Sequence, residues 1–187
     1  DPICIQNDRA HTFYIITKGW VKIFRETLDG SQAILDILPS PLMFGEKSIF
    51  TDEIYDYNAS ATSAVELIAL PLHLLQEEIN HNPALAHAFL RMLATQNKRQ
   101  ENNLEHMTLQ KAPERIGCFI LRLINQHSDT KHVSINLPYD KTLVAARLGM
   151  KPETFSRALN KLSKDAGIQI SGATVNINDV NKLSNYS

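Results

Sequence analysis

Over residues 1–72 apolar and polar positions alternate in short runs, and each run stops at a turn-forming residue. In TFYIITKGWVKIFRET, Phe13, Ile15, Val21 and Ile23 alternate with their neighbours on either side of Gly19. A period of two is that of a half-buried strand, and a glycine within it marks a bend. The dipeptides Asn7-Asp8 and Asp29-Gly30 suit the positive φ of tight turns. Further runs are AILDIL (33–38), then MFGEKSIF (43–50) after a loop holding Pro39 and Pro41, and a strand over ATSAVELIALP (61–71) that closes at Pro71. Many short strands with frequent turns predict a small barrel or jelly roll. DPICI reads as the middle of a strand pattern, so a further segment is expected upstream of Asp1, and any cofactor ligand carried there lies outside this sequence.

The pattern then changes. Leu74 to Gln110 holds one proline, Pro83, and no glycine, and helix formers dominate. After Pro83, residues Leu90, Leu93, Asn97, Gln100, Leu104 and Met107 recur at spacings of three and four. That is an a/d seam with Asn97 at an a-type position, where a buried Asn favours a registered dimer at a cost in stability. An amphipathic helix packing on its own domain gives the same spacing, so both readings stand. Ala112-Pro113-Glu114 restarts a helix with proline in its first turn, and its apolar face is Ile116, Phe119, Ile120, Leu123 and Ile124.

The most informative stretch is LPYDKTLVAARLGMKPETFSRALNKL, residues 137–162. Asp140 is placed to cap a short helix starting at Lys141, and Gly149 to end it in a left-handed turn. Only Met150 and Lys151 separate that glycine from Pro152, which opens a second helix. Helices so closely joined cross steeply, and Ala145 lets them approach. Leu143, Val144 and Leu148 face Phe155, Leu159 and Leu162 in a shared core. This is the helix-turn-helix pattern. Glu153, Ser156 and Arg157 fall near the N-terminal end of the second helix, away from its apolar face. Arginine can bond guanine O6 and N7 together, and glutamate can accept from cytosine N4. Lys151, Lys161 and Lys164 are candidates for phosphate contacts, which position without reading sequence. A plain surface helix with a Glu–Arg pair at i, i+4 fits the same residues. GIQISGATVNI (167–177) reads as a hairpin, with Ile168, Ile170, Val175 and Ile177 about Ser171-Gly172: the wing of a winged helix, or a hairpin completing a core.

Charge sharpens the division. Residues 1–80 hold five Lys and Arg against twelve Asp and Glu, while 81–138 and 139–187 each hold seven against four. An acidic front and a basic back assign any nucleic-acid contact to the back. Cys4 and Cys118 fit no zinc or haem-attachment spacing and read as free thiols in a reducing cytoplasm. No run of 18 apolar residues is present, so no membrane span is expected, and DPICIQNDRA lacks the apolar region of a secretory signal.

In order along the chain, these pieces resemble the Crp/Fnr superfamily of bacterial transcription regulators. FYIITKGWVKIFRETLDGSQ looks like its sensor β-roll, FGE at 44–46 like its motif after the strand, and KPETFSRAL like its recognition-helix signature. The resemblance implies an α+β fold: a cyclic-nucleotide-binding-like β-roll over 1–78, a long dimerisation helix over 79–111, and a C-terminal winged helix-turn-helix over 112–187. It implies a homodimer on palindromic double-stranded DNA, with Glu153, Ser156 and Arg157 reading bases and RNA polymerase as a further partner. Pro152 stands where cyclic-AMP receptor proteins carry another base-reading arginine, which favours the TTGAT-type half-sites of the Fnr branch.

For the effector, the resemblance places a pocket at Gly45, Glu46, Tyr57 and Asn58. Cyclic-AMP-binding members place an Arg-Ser pair about ten residues after Gly-Glu. YDYNASA (55–61) has none, no arginine occurs from Lys47 to Leu90, and Asp56 repels a phosphate. Cyclic AMP is therefore disfavoured. An Fnr-type iron–sulfur cluster is disfavoured too, because the internal fourth cysteine expected near Leu67 to Ala69 is absent. The pattern is closest to the nitric-oxide-responsive, denitrification-type branch, for which haem is a possible group. It would need an axial ligand from His11, His73, His81, His87, His106, His127 or His132, and no spacing selects one. Two other classes compete. A cupin-like enzyme would need clustered metal ligands, whereas the roll holds only His11 and His73, so no enzyme is expected. A ligand-binding module whose C-terminal helices contact only protein is the other.

Overall fold

The alternation of the first region builds a roll of antiparallel strands. The computed structural model describes residues 1–124, 133–137 and 140–184, and the chain divides into two compact units, Asp1–Glu101 and Asn102–Ser187. In the first unit the strands are β1 (Pro2–Cys4), β2 (Thr12–Lys18), β3 (Trp20–Glu26), β4 (Gln32–Pro39), β5 (Met43–Phe44), β6 (Asn58–Ala61) and β7 (Glu66–Pro71). One sheet runs β1-β6-β3-β4 and the other β5-β2-β7. Phe13, Ile16, Val21, Ile23, Phe44, Tyr55, Ala59 and Leu72 form the core. Between β2 and β3 the chain turns at Gly19 with φ +84°, where a Cβ would lie 2.2 Å from the Ala64 carbonyl oxygen. Only glycine fits there.

Local patterning misassigns four places. In β2 the buried residues are Phe13 and Ile16, with Ile15 half-buried, so burial does not keep the expected period of two. MFGEKSIF is not one strand: after β5, Gly45 at φ +89° turns the chain into a 3-10 helix, Glu46–Phe50. ATSAVELIALP is divided, Ala61 ending β6 and β7 starting at Glu66. The long helix is two, α1 (Leu72–His81) and α2 (Pro83–Leu109). Asn82 between them is extended, as the residue before a proline must tend to be, and its Oδ1 accepts from Leu85 N at 3.2 Å.

The second unit adds α3 (Ala112–Ile124), β8 (Val133–Asn136), α4 (Lys141–Arg147), α5 (Pro152–Ala166), β9 (Ile168–Ser171), β10 (Thr174–Ile177) and α6 (Val180–Ser184). Ile116, Phe119, Ile120, Leu123, Val144, Phe155, Leu159, Leu162, Ile177 and Leu183 are buried in its core. Its sheet runs β8-β10-β9, so the expected hairpin gains a third strand that the sequence reading did not assign. No helix among the described residues is long and apolar enough to cross a membrane.

Candidate nucleic-acid interface

The site starts from a cap and a turn. Asp140 Oδ1 accepts from Thr142 N at 2.8 Å and fixes the start of α4. At the other end Gly149 N donates to Ala146 O and Met150 N to Ala145 O, the paired bonds of a Schellman motif. Gly149 sits there at φ +63°, a conformation that costs other L-residues about 1–2 kcal/mol. Pro152 then supplies the first residue of α5. Ala145 is fully buried, while Leu143 is only half-buried. Arg115 of α3 donates through Nη1 to the Leu148 carbonyl at 3.0 Å, which binds a third helix to the turn.

On α5 the two faces are cleanly sorted. Phe155, Ala158, Leu159, Leu162 and Ala166 are buried, and Glu153, Ser156, Arg157, Asn160, Lys161 and Lys164 are exposed at helical spacing. The three residues expected to read bases therefore lie together, next to two of the three lysines, and Lys151 is exposed at the helix entrance. No ion pair joins Glu153 to Arg157 among the described residues. Asn160, four residues after Ser156, belongs to the stripe and was missed, although its spacing signals it. At the far end Gly167 closes α5 and leads directly into β9, while Ser163 Oγ donates to Ile168 O at 2.6 Å. The wing is thus bonded to its helix without a spacer.

In the roll, Tyr57 and Asn58 use their polar groups on backbone N–H groups, whereas Glu46 meets a side chain of α2. Tyr57 Oη accepts from Gly45 N at 2.8 Å, and Asn58 Oδ1 accepts from Gln6 N at 3.0 Å. Glu46 is 2% exposed and its Oε1 lies 3.5 Å from Gln96 Nε2 of α2. Burial raises the Glu46 carboxyl above the usual carboxylate range. Nothing in the sequence pointed to Gln96, which lies beside the seam. Asp56 is engaged by Arg25 of β3, which donates to its carboxylate at 3.0 Å and to its carbonyl at 2.7 Å. A guanidinium does reach this stretch, from the neighbouring strand β3, and it is already paired.

Known proteins share both halves in the same order. Residues 1–82 match the cyclic nucleotide-binding domain family and residues 114–186 the Crp-like helix-turn-helix domain family. A CRP-like cAMP-activated global transcriptional regulator of Mycobacterium tuberculosis is 29% identical over 181 residues, covering 96% of this chain and 81% of that protein. A solved Ruegeria pomeroyi structure, provisionally described as cyclic nucleotide binding, is 30% identical with a TM-score of 0.74, covering 100% of this chain and 81% of that one. The chain belongs to the Crp/Fnr family. FixK2 of Bradyrhizobium japonicum, 20% identical, shares the fold over 100% of this chain and 92% of its own, with a TM-score of 0.87. As a Crp/Fnr-type transcriptional regulator it carries a DNA-binding helix-turn-helix, and its relatives are regulators rather than enzymes.

Along α2 the seam residues Leu90, Asn97, Gln100, Leu104 and Met107 are exposed and Leu93 is half-buried; Phe89, one residue before the seam, is buried against Phe50. Among the described residues no group of three or more His, Cys, Asp or Glu side chains could hold a metal ion. His11, His73, His81 and His87 are exposed, His106 is half-buried, and His81 Nδ1 donates to Glu77 O at 2.8 Å. His11 and His73 line one cavity of about 280 Å³, with Arg9, Ile49, Glu53 and Leu72 among the other lining residues. His127 and His132 lie outside the described residues.

Proposed function

We propose that the protein acts as a homodimer on a palindromic promoter site, each protomer laying α5 in a major groove. Glu153, Ser156 and Arg157 read base edges, with Asn160 beside them, since asparagine can bond adenine N6 and N7. Lys151, Lys161 and Lys164 hold phosphates, and the wing of β9 and β10 lies beside the same duplex. The observation that carries this reading is the exposed polar stripe at the start of α5, set opposite a fully apolar face. The exposed α2 seam supports pairing with a second copy, which would cover the exposed Leu90, Leu104 and Met107. Pro152 supports half-sites of the TTGAT type, and RNA polymerase is the further partner of such a promoter-bound regulator.

The effector of this dimer is not cyclic AMP. What supports this is the lack of any arginine between Lys47 and Leu90, together with the commitment of Arg25 to Asp56. The nitric-oxide reading has no support from the described histidines. The test is DNA binding by fluorescence anisotropy, full chain against a TTGAT palindrome and a scrambled duplex. Arg157→Ala is expected to lose about 1–3 kcal/mol of specific affinity and to relax preference at one base pair. Equal binding of both duplexes by the native protein, or no effect of Arg157→Ala, removes α5 from the reading role.

A further inference from the structure

Glu46 is buried with half of its hydrogen-bonding capacity unmet. It stands on the 3-10 helix of the roll, and Gln96 meets it from α2 with Nε2 3.5 Å from Oε1. The remaining oxygen of each group, Glu46 Oε2 and Gln96 Oε1, is buried and has no hydrogen-bond partner. Two unpaired acceptors on two groups already in contact form a costly arrangement if the carboxyl is ionised. One proton resolves it. A carboxylic acid and a carboxamide are complementary forks, with N–H to C=O on one side and O–H to C=O on the other. We propose that Glu46 is held protonated at neutral pH, its Oε2–H donating to Gln96 Oε1, so that an acid–amide clasp ties α2 to the roll until ionisation releases it.

The surroundings favour the neutral form. Desolvation is the largest influence on Glu46; its own backbone N–H, the Lys47 ammonium on the same 3-10 helix and the Gln96 amide act in the opposite direction. Beside it, the Tyr57 phenol, which accepts from Gly45 N, is raised by burial first and stays neutral, so it adds no charge next to Glu46. Once ionised, Glu46 has no hydrogen to give, and both of the unpaired buried oxygens are acceptors only. Because α2 carries the exposed seam, the clasp connects the protonation of one buried group to the helix proposed for pairing. This consequence rests on the dimer reading; the protonation itself does not.

The test uses the full chain and reads the proton directly. Infrared difference spectra between the native protein and Glu46→Gln are expected to show a protonated carboxyl band at pH about 7 that the variant lacks, well above the ordinary glutamate value of about 4.3. Glu46→Gln keeps a donor in place and is expected to fold with its pair intact. In urea titrations the native protein is most stable, relative to that variant, below the ordinary value. It loses ground as pH rises to the folded value and then levels off, since the folded state binds the extra proton. Side-chain 13C titration of the labelled native protein gives the same answer without any variant. Absence of a protonated carboxyl at neutral pH, or parallel stability profiles for the two proteins, overturns the clasp. Failure to bind DNA at any pH would remove the regulator reading while leaving the carboxyl signal to decide the clasp.

Discussion

Single residues in this chain are specified by conformation and by desolvation, and the two are separable by experiment. Gly149 occupies a left-handed turn with Arg115 Nη1 3.7 Å and Met107 Cε 3.9 Å from the place a Cβ would take, so space is available and backbone strain is the cost. Gly149→Ala is expected to lower stability by about 1–2 kcal/mol in urea denaturation without abolishing the fold. The two thiols differ in environment. Cys4 is buried and its thiol is pushed up to about 12, first by desolvation, whereas Cys118 is half-buried near the Gln110 side chain. Iodoacetamide at pH about 8 is expected to label Cys118 in the folded protein and Cys4 only after unfolding, as mass spectrometry would show. Labelling of Cys4 at the rate of Cys118 would mean that β1 opens readily.

At the level of elements, what could be read in advance was what neighbours in sequence decide. The cap at Asp140, the turn at Gly149 and Pro152 at the head of α5 act within a few residues, so both helices of the helix-turn-helix are legible. The stripe on α5 follows from a period, and only Asn160 was passed over. β8 is different: Val133 and Ile135 become a strand because β10, some forty residues on, pairs with them in a ladder from Val133↔Ile177 to Asn136↔Thr174. Gln96 likewise acquires its meaning only when the roll brings Glu46 to it. The break at Asn82 was signalled by Pro83, but a helix-rich composition on both sides obscured it. The α2 face yields its own prediction. Leu104 is 69% exposed, so Leu104→Glu should barely change the stability of a lone chain. Sedimentation velocity is expected to show a shift from dimer to monomer; an unchanged dimer would place the pairing surface elsewhere.

For the whole molecule the relevant quantity is the uneven charge. Residues 1–101 carry eight Lys and Arg against thirteen Asp and Glu, and residues 102–187 carry eleven against seven. A nearly neutral protein can therefore still bind a polyanion through one unit, with an affinity that falls as salt rises. Lys164→Ala is expected to weaken binding to specific and scrambled duplexes alike and to reduce the slope of log K against log salt by about 1. A change confined to the specific duplex would make Lys164 a reader instead. The junction after α2 has a mechanical implication. Gln110 N bonds His106 O and Arg115 N bonds Lys111 O, so the two residues between α2 and α3 are held from both sides, and Arg115 in turn grips the carbonyl that ends α4. These bonds leave little slack, so on the proposed function a twist at the last turn of α2 is expected to reach α5, and lengthening that junction by a few glycines is expected to uncouple the two while sparing both.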